Sequence, residues 1–422
     1  MDLKQLLYDQ RKELDEHLKK EIVRRDALQH FQSLSNSNLI KVVMGVRRSG
    51  KSIFLLLMLK EKQFAYANFD DDRLIGVEPN NIIEAFHEMY DAKVKTIFFD
   101  EIQNVAHWEL LLNRLQRAGW NIFVTGSNAK LLSKELATHL TGRHLKIEIF
   151  PFSFKEYLQS ISFAGSIETT ADRGFIKKYF QTYLQEGGFP EIVVCKEQPY
   201  PYLRTLVANI IDRDIMGRFE ISYKKTFKQI SQTLLSNPGA SISYNRLKNQ
   251  FNLKSDHTVK NYVSYLEETY LIFLLNRFSF KPVEIEKSDK KIYGIDPGII
   301  NSFNLKLPHN HGPLYENVVA LELLRRASFS WTREIYYWKS IQQKEVDFVI
   351  KEGLKIKQLI QVCYDIDDIK TRKRETSALI EAGRVLKCKN LLIITQDDER
   401  EEKIKSYNIK YIPLWKWLIV EE

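Results

Sequence analysis

The chain has 422 residues, 44% of them hydrophobic, with 63 Lys and Arg against 54 Asp and Glu and a formal net charge of +9. That length exceeds one ordinary core, so two or three domains are expected, and that apolar share excludes a disordered chain. No stretch is long and apolar enough to span a bilayer, the charged opening MDLKQLLYDQRKELDEHLKK excludes a secretory signal, and Cys195, Cys363 and Cys388 fit neither a disulfide framework nor a zinc site. A cytoplasmic protein without membrane contact is expected, and the basic balance is compatible with nucleic acid or another anionic partner without requiring one.

Residues 1–37 predict one or two amphipathic helices rich in Lys, Glu and Arg, ending at SLSNSN, a lead-in to the first domain. In residues 38–153 apolar strands alternate with helices, as parallel α/β topology requires. Ile40, Val42, Val43 and Met44 suit a buried strand, residues 53–59 suit a helix, and between them lies GVRRSGKS, residues 45–52. Two glycines bracketing four residues and followed by Lys and Ser is the P-loop pattern. Backbone N–H groups curl around phosphates, Lys51 reaches the β- and γ-phosphates, Ser52 offers a hydroxyl to Mg²⁺, and the helix N-terminus adds its dipole. The predicted contacts to a nucleoside triphosphate are Gly45, Val46, Arg47, Arg48, Ser49, Gly50, Lys51, Ser52 and Ile53.

TIFFDE, residues 96–101, is an apolar strand ending in two carboxylates, the Walker B arrangement: Asp100 for the Mg²⁺ shell and Glu101 to orient or polarise the attacking water. The next strand runs into Gly126, Ser127 and Asn128; Asn128 is the candidate for sensing the γ-phosphate, with simple turn chemistry as the plainer explanation. Arg143, in LTGRH before a strand at residues 145–150, reads equally as an arginine finger or sensor and as a surface arginine near a helix end.

Residues 154–225 predict a helical lid or connector, broken by Gly187, Gly188 and Pro190. Residues 226–285 carry three helical segments and a strand-like LIFLLNRFSF, with Ser243 and Ser255 or Asp256 placed to cap helices, the pattern of a winged helix-turn-helix. The presumed recognition helix, the third of these segments, carries His257 and Lys260 near its start, close to Lys254, as DNA docking wants; winged helices also serve as protein interaction modules. Residues 286–422 form the last domain.

The order GVRRSGKS, NFDDDRL, TIFFDEIQNV, FVTGSN, LTGR and PFSFKEYL resembles the AAA-type ATPases of archaea and bacteria. The later YLQEGGFPEIV, DRDI, YGIDPG, LYENVVALELLRR and EVDFVI resemble the domain of unknown function that follows this module. The resemblance spans almost the whole chain. It implies an α/β fold with a RecA-like P-loop ATPase core carrying an extra strand between the P-loop and Asp-Glu strands, ATP and Mg²⁺ as cofactors, and a ring-like or other homo-oligomer; whether Arg143 acts across a subunit boundary there is left open.

From residue 290 onward the segments resemble a restriction-endonuclease-like, PD-(D/E)XK fold, which needs a helical acid, an Asp on one strand and Glu-x-Lys on the next. Glu316 and Asp347 match the first two positions, but the third reads Gln361-Val362-Cys363. Gln361 brings no charge and Cys363 cannot replace a cationic lysine. Glu345 is the compensating carboxylate and Lys355, Lys357 or Lys373 the stand-in lysine to look for. A nuclease-like scaffold retained for binding or assembly is favoured over active cleavage. The function expected is an ATP-driven switch moving the winged-helix and C-terminal domains; the alternatives are an ATP-controlled DNA-processing nuclease and a nucleotide-gated scaffold with negligible hydrolysis.

Overall fold

The computed structural model describes residues 2–18, 22–127, 142–163, 165, 167–304 and 311–420. They form two compact units, the first comprising Met1–Pro151 with Glu268–Tyr270, the second Phe152–Glu267 with Leu271–Glu422.

The first unit is built on five parallel strands: β1 (Ile40–Met44), β2 (Ala65–Asn68), β3 (Thr96–Asp100), β4 (Asn121–Gly126) and β5 (His144–Glu148), in the spatial order β2-β3-β4-β1-β5. The strand between β1 and β3 in space is therefore β4, and every loop that leaves a strand emerges on one edge. β1 reads IKVVM and is buried along its length, which suits a strand covered on both faces. Its Lys41 is fully buried; the ammonium reaches the backbone carbonyl of Ser37 and the Asn121 amide oxygen, and burial with the charge of Lys62 lowers its pKa to about 8.

The lead-in helix Leu3–Leu18 packs on β2. β2 is an edge strand, and the side chain of Gln10 meets the free edge at Asn68 with both its groups, Nε2 donating to the carbonyl at 3.1 Å and Oε1 accepting from the N–H at 3.0 Å. Arg11 adds a bond of 2.8 Å to the carbonyl of Phe64.

In the second unit, the helices Lys224–Leu235, Tyr244–Gln250 and Asp256–Glu268 accompany an antiparallel sheet of β6 (Ser241–Ile242), β7 (Ile272–Leu275) and β8 (Lys290–Gly294), ordered β6-β8-β7. Ser243 caps the second of these helices by accepting from the N–H of Arg246, and Ser255 Oγ accepts from the N–H of His257. A six-stranded mixed sheet completes the unit: β9 (Arg333–Lys339), β10 (Glu345–Glu352), β11 (Lys355–Val362), β12 (Leu391–Thr395), β13 (Arg400–Ile404) and β14 (Tyr407–Pro413), in the order β13-β14-β12-β11-β10-β9. The helix Ile369–Val385 buries Ala378, Leu379 and Ala382 with Val349, Leu359, Ile393 and Ile409 of that sheet. Among the described residues no helix is long and apolar enough to cross a membrane.

The unusual segments of this unit interlock. Ser153 and Glu156 of PFSFKEYL form a reciprocal capping box on the helix Phe154–Ser160. Asp296 of YGIDPG caps the helix Pro297–Phe303 and also accepts from the N–H of Gly188 at 2.7 Å. Gly187 has φ +84° and approaches the Asp296 carboxylate so closely that a Cβ would lie 2.0 Å from Oδ1, which explains why YLQEGGFP needs glycine there. Asn317 of LYENVV is fully buried and clasps Gly294 twice, its Oδ1 accepting from the N–H at 2.7 Å and its Nδ2 donating to the carbonyl at 3.0 Å. Asn317→Ala orphans both buried backbone groups and is expected to lower the stability of the second unit by about 3 kcal/mol. Chemical denaturation measures this, and a loss below about 1 kcal/mol would show the clasp to be dispensable.

Candidate functional site

The P-loop begins where β1 ends, and its shape is dictated by close packing. At Gly45, φ is +152° and a Cβ would lie 2.0 Å from the carbonyl oxygen of Ile149, so no larger residue fits. The loop turns through Ser49 N–H bonded to the Val46 carbonyl and leads into the helix Lys51–Met58, whose N-terminus faces the loop. Lys51 is buried, with Nζ 3.2 Å from the carbonyl oxygens of both Gly45 and Val46 and 3.8 Å from Glu101. Ser49 Oγ is buried and, among the described residues, has no hydrogen-bond partner. Arg47 lies 3.6 Å from Asp70, and Arg48 takes φ +67°.

Across the same edge, Asp100 ends β3 and is held from three sides. Ser52 Oγ donates to it at 2.9 Å, Tyr66 Oη at 3.2 Å and Thr125 Oγ1 at shorter range. Burial and the neighbouring Glu101 charge raise its pKa, against the pull of Thr125, Ser52 and Lys51. Glu101 sits at φ +52°, an uncommon conformation for a non-glycine residue that concentrates at functional positions. Its N–H donates to Thr125 Oγ1 at 3.0 Å, and its carboxylate accepts from Ser127 Oγ at 3.1 Å and from Gln103 Nε2 at 2.5 Å. Burial opposes ionisation of Glu101, but Lys51, Gln103, Ser127 and Arg47 outweigh it and hold the pKa below the ordinary value.

The structure thus gathers Lys51, Ser52, Asp100 and Glu101 at one edge of the sheet. Asn128 lies outside the described residues. Arg143 is not brought to this site: it precedes β5, its carbonyl accepts from Ile40 N–H at the start of β1, and its guanidinium donates to Asn113 at 3.0 Å. A five-residue strand separates the two edges by about 16 Å, so within one chain Arg143 stays away from the P-loop. Sequence reasoning missed Tyr66, Gln103, Thr125 and Ser127. It also missed Arg25, which is buried and whose guanidinium donates to the carbonyl of Ser49 in the P-loop at 2.9 Å and to that of Phe150. Ser127 and Thr125 stand on the predicted strand tip, one and three residues before the residue chosen; nothing local marks Arg25.

In the second unit, Glu316 on the helix Gly312–Ser328 and Asp347 on β10 both lie against one lysine, which sequence did not mark as a site residue. Lys291 of β8 is buried, with Nζ 2.9 Å from Glu316, 2.7 Å from Glu345 and 3.0 Å from Asp347. Tyr293 Oη donates to Glu316 at 2.7 Å. Gln361 on the adjacent β11 accepts through Oε1 from the backbone N–H of Asp347 at 3.3 Å and donates through Nε2 to Glu375 at 2.7 Å. The expected stand-ins are elsewhere: Lys357 pairs with Glu352 at 2.9 Å, and Lys355 and Lys373 are exposed. Burial lowers and the surrounding Tyr293 and carboxylates raise the Lys291 pKa, with the net direction upward, whereas burial raises that of Glu316.

Lys254, His257 and Lys260 are exposed at one end of the helix Asp256–Glu268. Lys260 is paired with Asp256 at 3.1 Å, and Asn261 lies 3.4 Å from His257 Nδ1.

Comparison with known sequences finds three family models along the chain. Residues 37–158 match the profile of an AAA domain, residues 177–309 a domain of unknown function (DUF8612) and residues 311–417 a second one (DUF4143). An uncharacterized Haemophilus influenzae protein is 28% identical over 93% of this chain and 98% of its own length. Among solved structures, the Walker-type ATPase PABY2304 of Pyrococcus abyssi covers 67% of this chain and 96% of its own at 15% identity, with a TM-score of 0.40, too loose a likeness to carry the fold assignment. The uncharacterized protein MJ1544 of Methanocaldococcus jannaschii is 39% identical over 397 residues, 90% of this chain and 88% of that one. With that likeness running nearly end to end, the chain belongs to the family of MJ1544, whose P-loop domain is here of the AAA type.

Proposed function

We propose that this protein binds and hydrolyses Mg·ATP and uses the cycle to switch its second unit. The observation that carries this is the convergence of Lys51, Ser52, Asp100 and Glu101 on the carboxyl edge of a parallel sheet, where α/β proteins place their ligands. The residues fit the nucleotide and metal: a helix N-terminus and the Lys51 ammonium for phosphates, the Ser49 hydroxyl in the same loop, which has no partner among the described residues, and Ser52 with Asp100 for Mg²⁺. When bound by Ser52 and Asp100, Mg²⁺ would supply positive charge to offset that of the phosphates. Lys51 leaves its two loop carbonyls to meet the phosphates. Glu101, kept ionised beside Lys51, orients and polarises the attacking water once released from Ser127 and Gln103. Arg25 holds the Ser49 carbonyl and so fixes the loop. Arg143 reaches a nucleotide only from a neighbouring subunit of a homo-oligomer.

The finer division is residues 1–37 lead-in, 38–153 ATPase core, 154–225 lid or connector, 226–285 winged helix and 286–422 nuclease-like domain. Three helices with a three-stranded sheet support the winged helix, with the qualification that β8 joins that sheet from beyond residue 285. Lys254, His257 and Lys260 are the proposed DNA contacts.

Glu101→Gln is expected to retain ATP binding and lower turnover by about 10²- to 10⁴-fold, while Lys51→Ala loses both. Steady-state hydrolysis with and without double- and single-stranded DNA checks this. Equal, near-zero rates in wild type and Glu101→Gln would leave a nucleotide-gated scaffold, and DNA-indifferent turnover would direct the search to a protein partner. Arg25→Ala is expected to weaken binding of a fluorescent ATP analogue about tenfold, roughly 1.4 kcal/mol, without unfolding the first unit. An unchanged affinity would remove Arg25 from the site.

A further inference from the structure

We propose that the ammonium of Lys291 is a built-in cation, holding the place of a divalent metal among Glu316, Glu345 and Asp347, so that this site is closed to metal and does not cleave nucleic acid. An ammonium has three N–H donors and no acceptor, and here each of three carboxylates takes a position 2.7–3.0 Å from it. The donor set is that of a hard-cation site, oxygen only, of the kind that suits Mg²⁺, Ca²⁺ or Mn²⁺. In metal-assisted hydrolysis the carboxylates surround the metal and any lysine stands beside it, near the water. In this protein the lysine is at the centre.

The placement is enforced by the fold. Lys291 rises from β8, paired on both sides with β6 and β7, and its side chain is 3% exposed. Glu316 is fixed by Tyr293 as well, and Asp347 accepts from the N–H of Val362 at 3.0 Å. These supports orient the carboxylates toward one point. Oxygens that lie 2.7–3.0 Å from the nitrogen must close in to about 2.0–2.6 Å to ligate Mg²⁺ or Ca²⁺. Among the described residues no trio of His, Cys, Asp or Glu is set to hold a metal ion. The cage belongs to the second unit and does not rest on the P-loop chemistry.

The test is Mn²⁺ binding to the full chain without nucleotide, read by electron paramagnetic resonance, in wild type, Asp347→Asn, Lys291→Met and the double variant. Asp347→Asn should leave Mn²⁺ binding by the wild type unchanged. Lys291→Met should gain one Mn²⁺ bound at least tenfold tighter than in wild type, and the double variant should lose it. A wild-type Mn²⁺ site abolished by Asp347→Asn, or Mn²⁺-dependent nicking of plasmid lost in that variant, would overturn the proposal. So would a folded Lys291→Met chain that gains no metal. If Lys291→Met does not fold, the wild-type and Asp347→Asn pair decides: equal binding supports the built-in cation, and a difference refutes it.

Discussion

A carboxylate that must be buried at the end of a strand organises the first unit. Removing Asp100 from water is costly unless its oxygens are met by donors, and the fold supplies them from three separate elements. Ser52 comes from the helix after the P-loop, Tyr66 from β2 and Thr125 from β4. Those bonds fix the order in which strands must lie, because Tyr66 and Thr125 flank β3 on either side. Thr125 also receives the N–H of Glu101 and thereby sets the backbone turn that presents the second carboxylate. Structural and chemical demands are met by the same side chains.

The second unit is organised by backbone close approach. Gly187, Gly188 and Asp296 form one contact, and Asn317 with Gly294 another, so that segments more than a hundred residues apart in the first case are joined by direct contact. Asp296 is fully buried, and burial raises its pKa to about 6 against the three N–H groups it accepts from. The Lys291 cage lies on the same strand as Gly294, so the two polar features brace β8 at positions three residues apart.

The P-loop and the Asp-Glu strand were legible because their chemistry is local: the spacing from Gly45 to Ser52 is itself the geometry, and the short apolar run before Asp100-Glu101 suits a buried strand that ends at its acids. That Arg143 stays away from the P-loop of its own chain follows from something sequence also contains. It immediately precedes β5, and in a parallel sheet the residue before a strand lies on the edge opposite the loops that leave the strands, where the P-loop and Glu101 stand. Lys291 was not legible, since its partners are 25, 54 and 56 residues distant and belong to a helix and a strand whose meeting with β8 is set by tertiary packing. The lysine was sought near Gln361, where a sequence pattern would put it. The motif segments GGFP and YENVV were visible as unusual, but that they clasp Asp296 and Gly294 needed coordinates.

The Gln10 amide has a wider meaning for β2. A side-chain amide carries the same donor and acceptor as a peptide group, and at Asn68 it occupies the positions that an added strand would use. The lead-in helix therefore acts as a guard on an otherwise open sheet margin, where an unpaired strand invites pairing with foreign chains. Detaching that helix would convert the ATPase sheet into a template for strand addition, linking the integrity of a peripheral segment to resistance against self-association.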